Sequence, residues 1–457
     1  MIKKFYIAIA AAIVLAIAFP GGAAADSEYL KGLEGKELPK MTVPSVDKVV
    51  LPNGMTCFIK EDRSLPIIQI QVTIKTGSIY EPADKLGLAS ITGSAVRSAG
   101  AGELSPEDLD LLIDSMGAEL SSSIGTESGS VYLAILSEDM EKGVGLLSDL
   151  LFKPRFDKGR VAIARHKLAE SLRRDKDEPN LFASILFSQL VYGKNSPWAR
   201  RPDPDLLTSI GEEDIKNFHA SYFVPSNMIL AAAGDFKTRD LVEQLKKYFP
   251  KESGKKVEFP NVPELKPSFL PDLRVVKGPK TQTFIRMGHL GVKRHNPDWY
   301  SIYLLSQVLG SSGFKSRLVE EIRVKRGMAY SVSGGISQAT DYGLFTVKMS
   351  TSADNAYAAI NLAKEQIKKL SKHGEISDEE LDLAKRSLLA SSIFELDGSF
   401  KIVSDRARFM FYGYPSNYWI KAYEGIARVS KDDVEDAASK YLHPDGIKIL
   451  MLGPTEE

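Results

Sequence analysis

Apolar and polar residues alternate along an early stretch of the chain, and this pattern predicts the first two structural elements. From Ile68 to Ile74 every second residue is apolar, which is typical of a half-buried strand. After a polar turn, Leu88, Ile91 and Ala95 fall on one face of a helical repeat. The sequence therefore predicts a strand followed by an amphipathic helix.

Similar patterns predict the neighbouring elements. Asn53-Gly54 between two apolar runs indicates a hairpin turn. Ser105 followed by acidic residues indicates the start of a helix. A strand is expected at 131–136, and helices at about 138–151 and 158–175.

A segment in the middle of the chain recurs near its C-terminus. Residues 214–234 and 433–453 each read as a helix, a Tyr-x-x-Pro stop, an apolar strand and a glycine, at a constant offset of 219. This repeat predicts a duplicated domain, with chance similarity over one helix–strand unit as the alternative. Residues 251–271 are rich in Lys, Pro and Glu and predict a linker. We therefore expect one domain at 26–250 and a second at 272–457.

Residues 1–25 have the composition of a secretory signal peptide. Lys3 and Lys4 precede the apolar run 5–19, and residues 23–25 are small, as at a cleavage site. The apolar run is short for a membrane span. We expect a cleaved signal and a periplasmic or secreted chain, with an uncleaved N-terminal anchor as the alternative.

Composition excludes several classes of function. The 59 basic and 59 acidic residues balance, so neither a nucleic-acid partner nor a polybasic membrane patch is expected. The single cysteine, Cys57, excludes an internal disulfide. A content of 43% hydrophobic and 26% charged residues is that of an ordinary globular chain.

The most informative stretch is Ser90-Ile91-Thr92-Gly93-Ser94, which follows the lead-in Lys85-Leu86-Gly87-Leu88-Ala89. It resembles the place where pitrilysin/insulinase-type peptidases carry H-x-x-E-H, two zinc-binding imidazoles with a glutamate as general base. Ser90 and Ser94 are poor zinc ligands, and Gly93 cannot accept a proton from water. The resemblance thus implies a degenerate zinc motif, while a simple amphipathic helix is the plain alternative.

A second stretch, residues 309–332, resembles the C-terminal half of the same family, especially short bacterial members and mitochondrial-processing-type subunits. Arg323 and Tyr330 are seven residues apart. They match the arginine and tyrosine that help to hold the scissile carbonyl in that family. The plain alternatives are a structural ion pair of Arg323 with a neighbouring glutamate and packing of Tyr330 at a strand start.

Glu170 lies 76 residues beyond the degenerate motif, where the family has its third zinc ligand. Because the other two ligands are missing, we expect Glu170 to be a solvated helix acid. His166, one turn earlier, does not complete a zinc site. No metal or cofactor is expected in this chain, and zinc is expected only in a partner subunit.

The resemblance covers about 48–454 and implies two homologous α+β domains, each a mostly antiparallel sheet with helices on one face. It also implies a non-catalytic subunit that pairs with an active zinc peptidase of the family and encloses peptides or unfolded proteins. The alternatives are a structural scaffold or a peptide-holding module. A peptide is expected to add as an extra strand along four residues: Glu119, Leu120, Ser121 and Ser122.

Overall fold

The computed structural model describes residues 41–279 and 281–454. From Thr42 onward the chain forms one compact unit. The predicted signal peptide and its cleavage site lie outside the described residues. Within those residues, no helix combines the length and the apolar character that a membrane span requires.

Six strands form the first sheet, in the spatial order β1-β2-β6-β3-β5-β4. Their bounds are β1 Asp47–Val50, β2 Thr56–Glu61, β3 Ile67–Ile74, β4 Glu119–Ile124, β5 Gly129–Leu136 and β6 Met228–Gly234. All neighbouring strands are antiparallel except β2 and β6, which are parallel. The predicted alternation is confirmed, because every second residue of β3 from Ile68 to Ile74 is buried.

Five strands form the second sheet, in the order β10-β12-β8-β13-β7. The bounds in this part of the chain are β7 Asp272–Lys277, β8 Thr283–Leu290, β9 Val292–Lys293, β10 Ala329–Ile336, β11 Gln338–Ala339, β12 Leu344–Thr351 and β13 Lys448–Gly453. Only β13 and β7 are parallel within this sheet. The short strands β9 and β11 form a separate parallel pair.

Helices connect the strands of both sheets. Those in the first half of the chain are α1 Leu88–Ser98, α2 Pro106–Ser115, α3 Met140–Phe152, α4 Lys158–Arg173, α5 Pro179–Tyr192, α6 Glu212–Tyr222 and α7 Thr238–Tyr248. Those in the second half are α8 Trp299–Leu309, α9 Ala356–Leu370, α10 Asp378–Ser391, α11 Ser399–Phe411, α12 Tyr418–Arg428 and α13 Lys431–Tyr441. A π-helical segment, Val319–Val324, precedes β10.

The two halves have the same topology, as the repeat predicted. The order β2-β6-β3-β5-β4 in the first sheet corresponds to β7-β13-β8-β12-β10 in the second. The repeated units are α6 with β6 and α13 with β13, and both helices carry an aspartate three residues after the N-cap position. The side chains of Asp214 and Asp433 accept hydrogen bonds from the backbone nitrogens of Gly211 and Ser430. Only α13 has a full capping box, in which the Ser430 hydroxyl also accepts from the nitrogen of Asp433. The prediction of two homologous α+β domains is therefore confirmed.

Each sheet packs its main core against helices of its own half on one face. On its other face it receives one helix from the opposite half. Helix α5 packs against β8 and β13 of the second sheet, and α11 packs against β2 and β6 of the first. This exchange of helices joins the halves through two small apolar clusters.

A buried arginine fixes one of the exchanged helices. Arg286 on β8 is 2% exposed. Its guanidinium donates to Ser184 Oγ at 3.1 Å and to the carbonyl oxygen of Asn180 at 2.8 Å, both on α5. Burial lowers the pKa of Arg286 to about 10. Because neutral oxygens of α5 satisfy this buried cation, loss of the arginine would leave polar groups of the helix without partners.

Residues 250–271 contain no regular helix or strand, but part of this segment is packed. The ring of Phe259 lies 5.0 Å from that of Tyr80 in the first half, and the ring of Phe269 lies 3.6 Å from that of His443 in the second. The segment is therefore held against both halves. The domain boundaries at 250 and 272 stay a prediction.

Candidate functional site

Helix α1 carries the degenerate motif, and a buried carboxylate holds its first turn. The helix begins after Gly87, which has φ 99°. The side chain of Glu81 accepts hydrogen bonds from the backbone nitrogens of Ala89 at 2.6 Å and Gly87 at 3.2 Å. A carboxylate at this position satisfies donors that the first helical turn cannot pair internally.

Glu81 is 7% exposed, and its environment opposes ionisation. Burial raises its pKa to about 7, although the hydrogen bonds from α1 and the charge of Arg200 act in the opposite direction. Arg200 also donates to the carbonyl oxygens of Ser78 at 2.8 Å and Glu81 at 2.7 Å. Sequence analysis missed both residues, because each acts through contacts that no local pattern encodes.

The three motif residues on α1 differ in their exposure to solvent. Ser90 and Ser94 are exposed, one helical turn apart, whereas Gly93 is buried. A Cβ at position 93 would lie 2.5 Å from the backbone nitrogen of Ile124 in β4. Helix α1 therefore contacts the backbone of β4 directly, and a larger residue at position 93 requires the two elements to move apart.

Glu170 lies on α4, which packs against α1. Its carboxylate pairs with Arg173 at 2.8 Å, and Arg173 also pairs with Asp205 at 2.7 Å. Among the residues that the structure describes, no group of three or more His, Cys, Asp and Glu side chains could hold a metal ion. The hydroxyls of Ser90 and Ser94 and the ion-paired carboxylate of Glu170 are not a donor set that fits zinc.

A cavity of about 590 Å³ opens beside the motif helix. Ser90, Glu81 and Ile124 line it, together with apolar residues of α4 and α5. Glu170 and Ser94 are absent from this lining. The structure thus places Ser90 at a cavity that Ser94 and Glu170, the other two positions predicted to correspond to zinc ligands, do not line.

The expected peptide-binding edge, β4, is the last strand of the first sheet. Glu119 and Ser121 are exposed, Leu120 is buried and Ser122 is half-buried. The guanidinium Nε of Arg97 donates to the carbonyl oxygen of Leu120 at 3.1 Å. Since N–H and C=O groups of alternate residues point to the same side of a strand, Ser122 also directs its backbone groups to this outer edge.

Arg323 and Tyr330 lie together in the second half. Arg323 belongs to the π-helical segment and Tyr330 to β10, an edge strand of the second sheet. The guanidinium carbon lies 6.0 Å from the centre of the tyrosine ring, and Tyr330 is 80% exposed. Both line a groove of about 410 Å³ that is distinct from the cavity beside Ser90.

Sequence profiles of known families match both halves of the chain. Residues 57–192 match the profile described as Insulinase (Peptidase family M16), and residues 209–388 match the one described as Peptidase M16 inactive domain. A Streptomyces coelicolor protein named as an uncharacterized zinc protease is 26% identical over 302 residues, covering 64% of each chain. A Helicobacter pylori protein named as a non-peptidase homolog is 24% identical over 412 residues, covering 88% of this chain and 91% of that one.

Solved structures share the fold over most of the chain. A Pseudomonas fluorescens structure described as a peptidase M16 inactive domain has a TM-score of 0.82 at 22% identity and covers 90% of this chain and 98% of its own. The periplasmic protease PqqL from Escherichia coli has a TM-score of 0.74 at 16% identity, covering 92% of this chain and 48% of its own. These similarities support the fold independently of the motifs.

Proposed function

Because this chain belongs to the insulinase (peptidase M16) family, we propose that it is the non-catalytic subunit of a two-chain zinc peptidase. One observation carries the proposal. Ser90, Ser94 and Gly93 occupy the positions that the resemblance assigns to two zinc ligands and the general base, while Arg323 and Tyr330 lie 6.0 Å apart on an open groove, measured from guanidinium carbon to ring centre. This chain therefore has groups suited to binding a substrate carbonyl without those needed to activate water.

The reaction has two requirements that two different chains can meet: activation of water and stabilisation of the charged carbonyl oxygen. Hydrolysis of a peptide bond develops negative charge on the carbonyl oxygen, and donors aimed at that oxygen lower the barrier. Arginine supplies a permanent positive charge and tyrosine a hydroxyl donor. In the proposed complex the partner holds the metal and the base, and Arg323 and Tyr330 bind the charged oxygen.

The substrate in this proposal is an extended peptide or an unfolded protein. Strand β4 is an edge strand, and a peptide that pairs with it is bound mainly through its backbone, with little demand on its sequence. The contact from Arg97 to Leu120 occupies part of this edge, so a bound peptide displaces that side chain or pairs around Ser122. The secretory signal predicted at 1–25 supports a periplasmic or secreted location.

Co-purification from the native cell envelope tests this function. A tagged chain should retain a family member that carries an intact H-x-x-E-H motif, and only the two chains together should cleave peptides. Recovery with other proteins but no peptidase would favour the scaffold alternative. Tight peptide binding by the chain alone, without any peptidase partner, would favour the peptide-holding module.

A further inference from the structure

Strand β7, at one edge of the second sheet, lacks the cover that its counterpart has in the first sheet. That counterpart, β2, is paired with β1 along its edge and packed against α7. Cys57 and Ile59 of β2 are completely buried. In β7, by contrast, Leu273 is 52% exposed and Val275 is 43% exposed. Two apolar side chains thus face solvent on a strand that ends its sheet, a feature typical of an interaction surface.

The segment of the second half that corresponds to β1 is bound elsewhere. Strand β1 begins nine residues before β2, so the corresponding segment before β7 is 263–266. That segment forms no strand. The backbone nitrogen of Leu265 donates to Asp341 Oδ2 at 2.6 Å, and Glu264 pairs with Lys293 of β9. Within the described residues, therefore, the backbone N–H and C=O groups on the outer side of β7 pair with no strand.

The order Asp272-Leu273-Arg274 at the start of β7 is complementary to itself when it is read in the reverse direction. If two copies of β7 pair antiparallel about Leu273, the two leucines lie opposite each other, and Asp272 of each copy lies opposite Arg274 of the other. Asp272 and Arg274 are both exposed. Beyond this centre, the exposed Leu270 lies opposite Val276. The pairing therefore joins opposite charges and covers exposed apolar side chains.

Symmetry leaves few other registers for such a pairing. A two-fold axis through the sheet requires one residue to lie opposite its own copy, because side chains opposite each other point to the same face. Centring the pair on Arg274 would place two like charges directly opposite each other, which destabilises paired strands. Centring it on Val275 would place Arg274 opposite Val276, so that its charge has no opposite partner. The register centred on Leu273 is therefore the one that the charges favour.

We propose that β7 is the contact between two copies of this chain, which pair antiparallel about Leu273 and join their second sheets into one continuous sheet. Hydrogen bonds between the outer backbone groups supply part of the attraction, and burial of the exposed apolar side chains supplies the rest. A contact built mainly on one short strand is small, so the dimer is reversible. The second copy is not the zinc-holding partner of the proposed function, and β7 contains none of the residues that the proposed function uses.

Sedimentation velocity of the purified chain tests the dimer. As the concentration is raised, a species of twice the chain's mass should grow at the expense of the monomer. Asp272→Arg and Arg274→Asp should each move the midpoint of association to an about tenfold higher concentration, because each places like charges opposite each other twice in the dimer. The double variant Asp272→Arg/Arg274→Asp again pairs opposite charges and should recover the dimer. Lys277→Asp is the control, since Lys277 is exposed on the same strand but lies opposite no charge in this register.

Cysteine substitutions read the register directly. Leu273→Cys places two thiols opposite each other, within the Cα separation that a disulfide accepts, and mild oxidation should cross-link the dimer. Val275→Cys is the matched control on the same face of the strand. It lies opposite Pro271 of the other copy, so its two thiols are too far apart to join. The chain's own cysteine, Cys57, is buried and should not contribute. All of the substituted positions in β7 are exposed, so the variants should unfold at the same denaturant concentration as the natural chain.

A chain that stays monomeric at every concentration would overturn the proposal, as would a dimer that survives both single charge reversals. Equal cross-linking of Leu273→Cys and Val275→Cys, or none of either, would exclude the register centred on Leu273. Growth beyond a dimer would indicate a head-to-tail contact of β7 with a different edge, which also contradicts the proposal. These outcomes are separate from the test of the proposed function, because the purified chain is studied without a peptidase partner.

Discussion

Gly93 lies so close to Ile124 that a Cβ at position 93 would be 2.5 Å from the backbone nitrogen of Ile124. The glycine lies in the middle of α1, and the resemblance of the motif predicts that it takes the position of the family's general base. Position 93 therefore lacks a side chain that could act as a base, and it also lacks room for one, because α1 approaches β4 more closely than a glutamate at this position permits. Restoring the base would require the helix to move as well as the residue to change.

Gly93→Ala should destabilise the protein by about 1–3 kcal/mol through overpacking. Chemical denaturation measures this change. Gly145→Ala is a control within helix α3, where the nearest atoms are ring carbons of Tyr248 at 3.3 and 3.4 Å. That side chain can shift, so a change within about 0.5 kcal/mol is expected. Equal changes in the two variants would contradict the account of α1.

The isolated chain should bind no stoichiometric zinc and cleave no peptide. We expect this because Ser90, Gly93 and Ser94 supply neither zinc ligands nor a base, and because the carboxylate of Glu170 is paired with Arg173 at 2.8 Å. Elemental analysis of the purified chain should therefore give the same background for the natural sequence and for Glu170→Gln. The prediction would be wrong if the natural chain held one zinc tightly and Glu170→Gln lost it, because Glu170 would then be a zinc ligand.

Ser122→Pro should weaken the binding of an unfolded peptide to this chain by removing an outward N–H from β4. Proline is tolerated on an edge strand where the missing donor faces solvent, so the free energy of unfolding should change little. Ser123→Pro is the contrasting variant. Ser123 lies opposite Ser130 of β5, and its backbone faces inward, so this change should destabilise the sheet. Unchanged peptide binding by a folded Ser122→Pro variant would exclude this edge.

Acid should destabilise the protein through buried histidines. His289 is 1% exposed, with Nδ1 2.7 Å from the carbonyl oxygen of Leu290 and Nε2 3.2 Å from the backbone nitrogen of His443. Burial lowers its pKa to about 4. The unfolded chain takes up the proton from about pH 6.5. The free energy of unfolding should therefore fall by up to about 3 kcal/mol between pH 6.5 and pH 4 on account of this group.

Denaturation of His289→Gln across this pH range measures the contribution. The variant should lose less stability than the natural protein as the pH falls, whatever its stability at pH 8. His219, whose pKa burial also lowers to about 4, and Glu81 remain in both proteins, so their contributions cancel. His166→Gln on an exposed helix position is the control. A natural protein and a His289→Gln variant with parallel pH profiles would refute the prediction.

Local patterns predicted much of the fold. Alternation predicted β3, Asn53-Gly54 predicted the first hairpin, and Ser105 caps α2 as expected, with its hydroxyl 3.1 Å from the nitrogen of Asp108. The repeat at an offset of 219 predicted the homologous halves. These features are encoded by residues that are near each other in the chain, or by a comparison of the chain with itself.

The remaining features depend on contacts between distant residues. Nothing near Arg286 indicates that it is buried against Asn180, 106 residues earlier. Glu81 lies in a polar turn, and its burial follows from the packing of α1. The alignment with H-x-x-E-H identified Ser90 and Gly93 as positions of interest, but only the three-dimensional structure shows how closely α1 approaches β4. The places of the predicted site residues are thus known, while their roles stay predictions.

Turnover by the reconstituted two-chain enzyme tests the central claim most directly. Arg323→Ala and Tyr330→Phe should each lower kcat by about a hundredfold or more, as does loss of one donor to a developing oxyanion. Assembly should survive, since both side chains are exposed, and Arg326→Ala should retain activity. Natural turnover by the Arg323→Ala/Tyr330→Phe double variant, in a complex shown to be intact, would contradict the account.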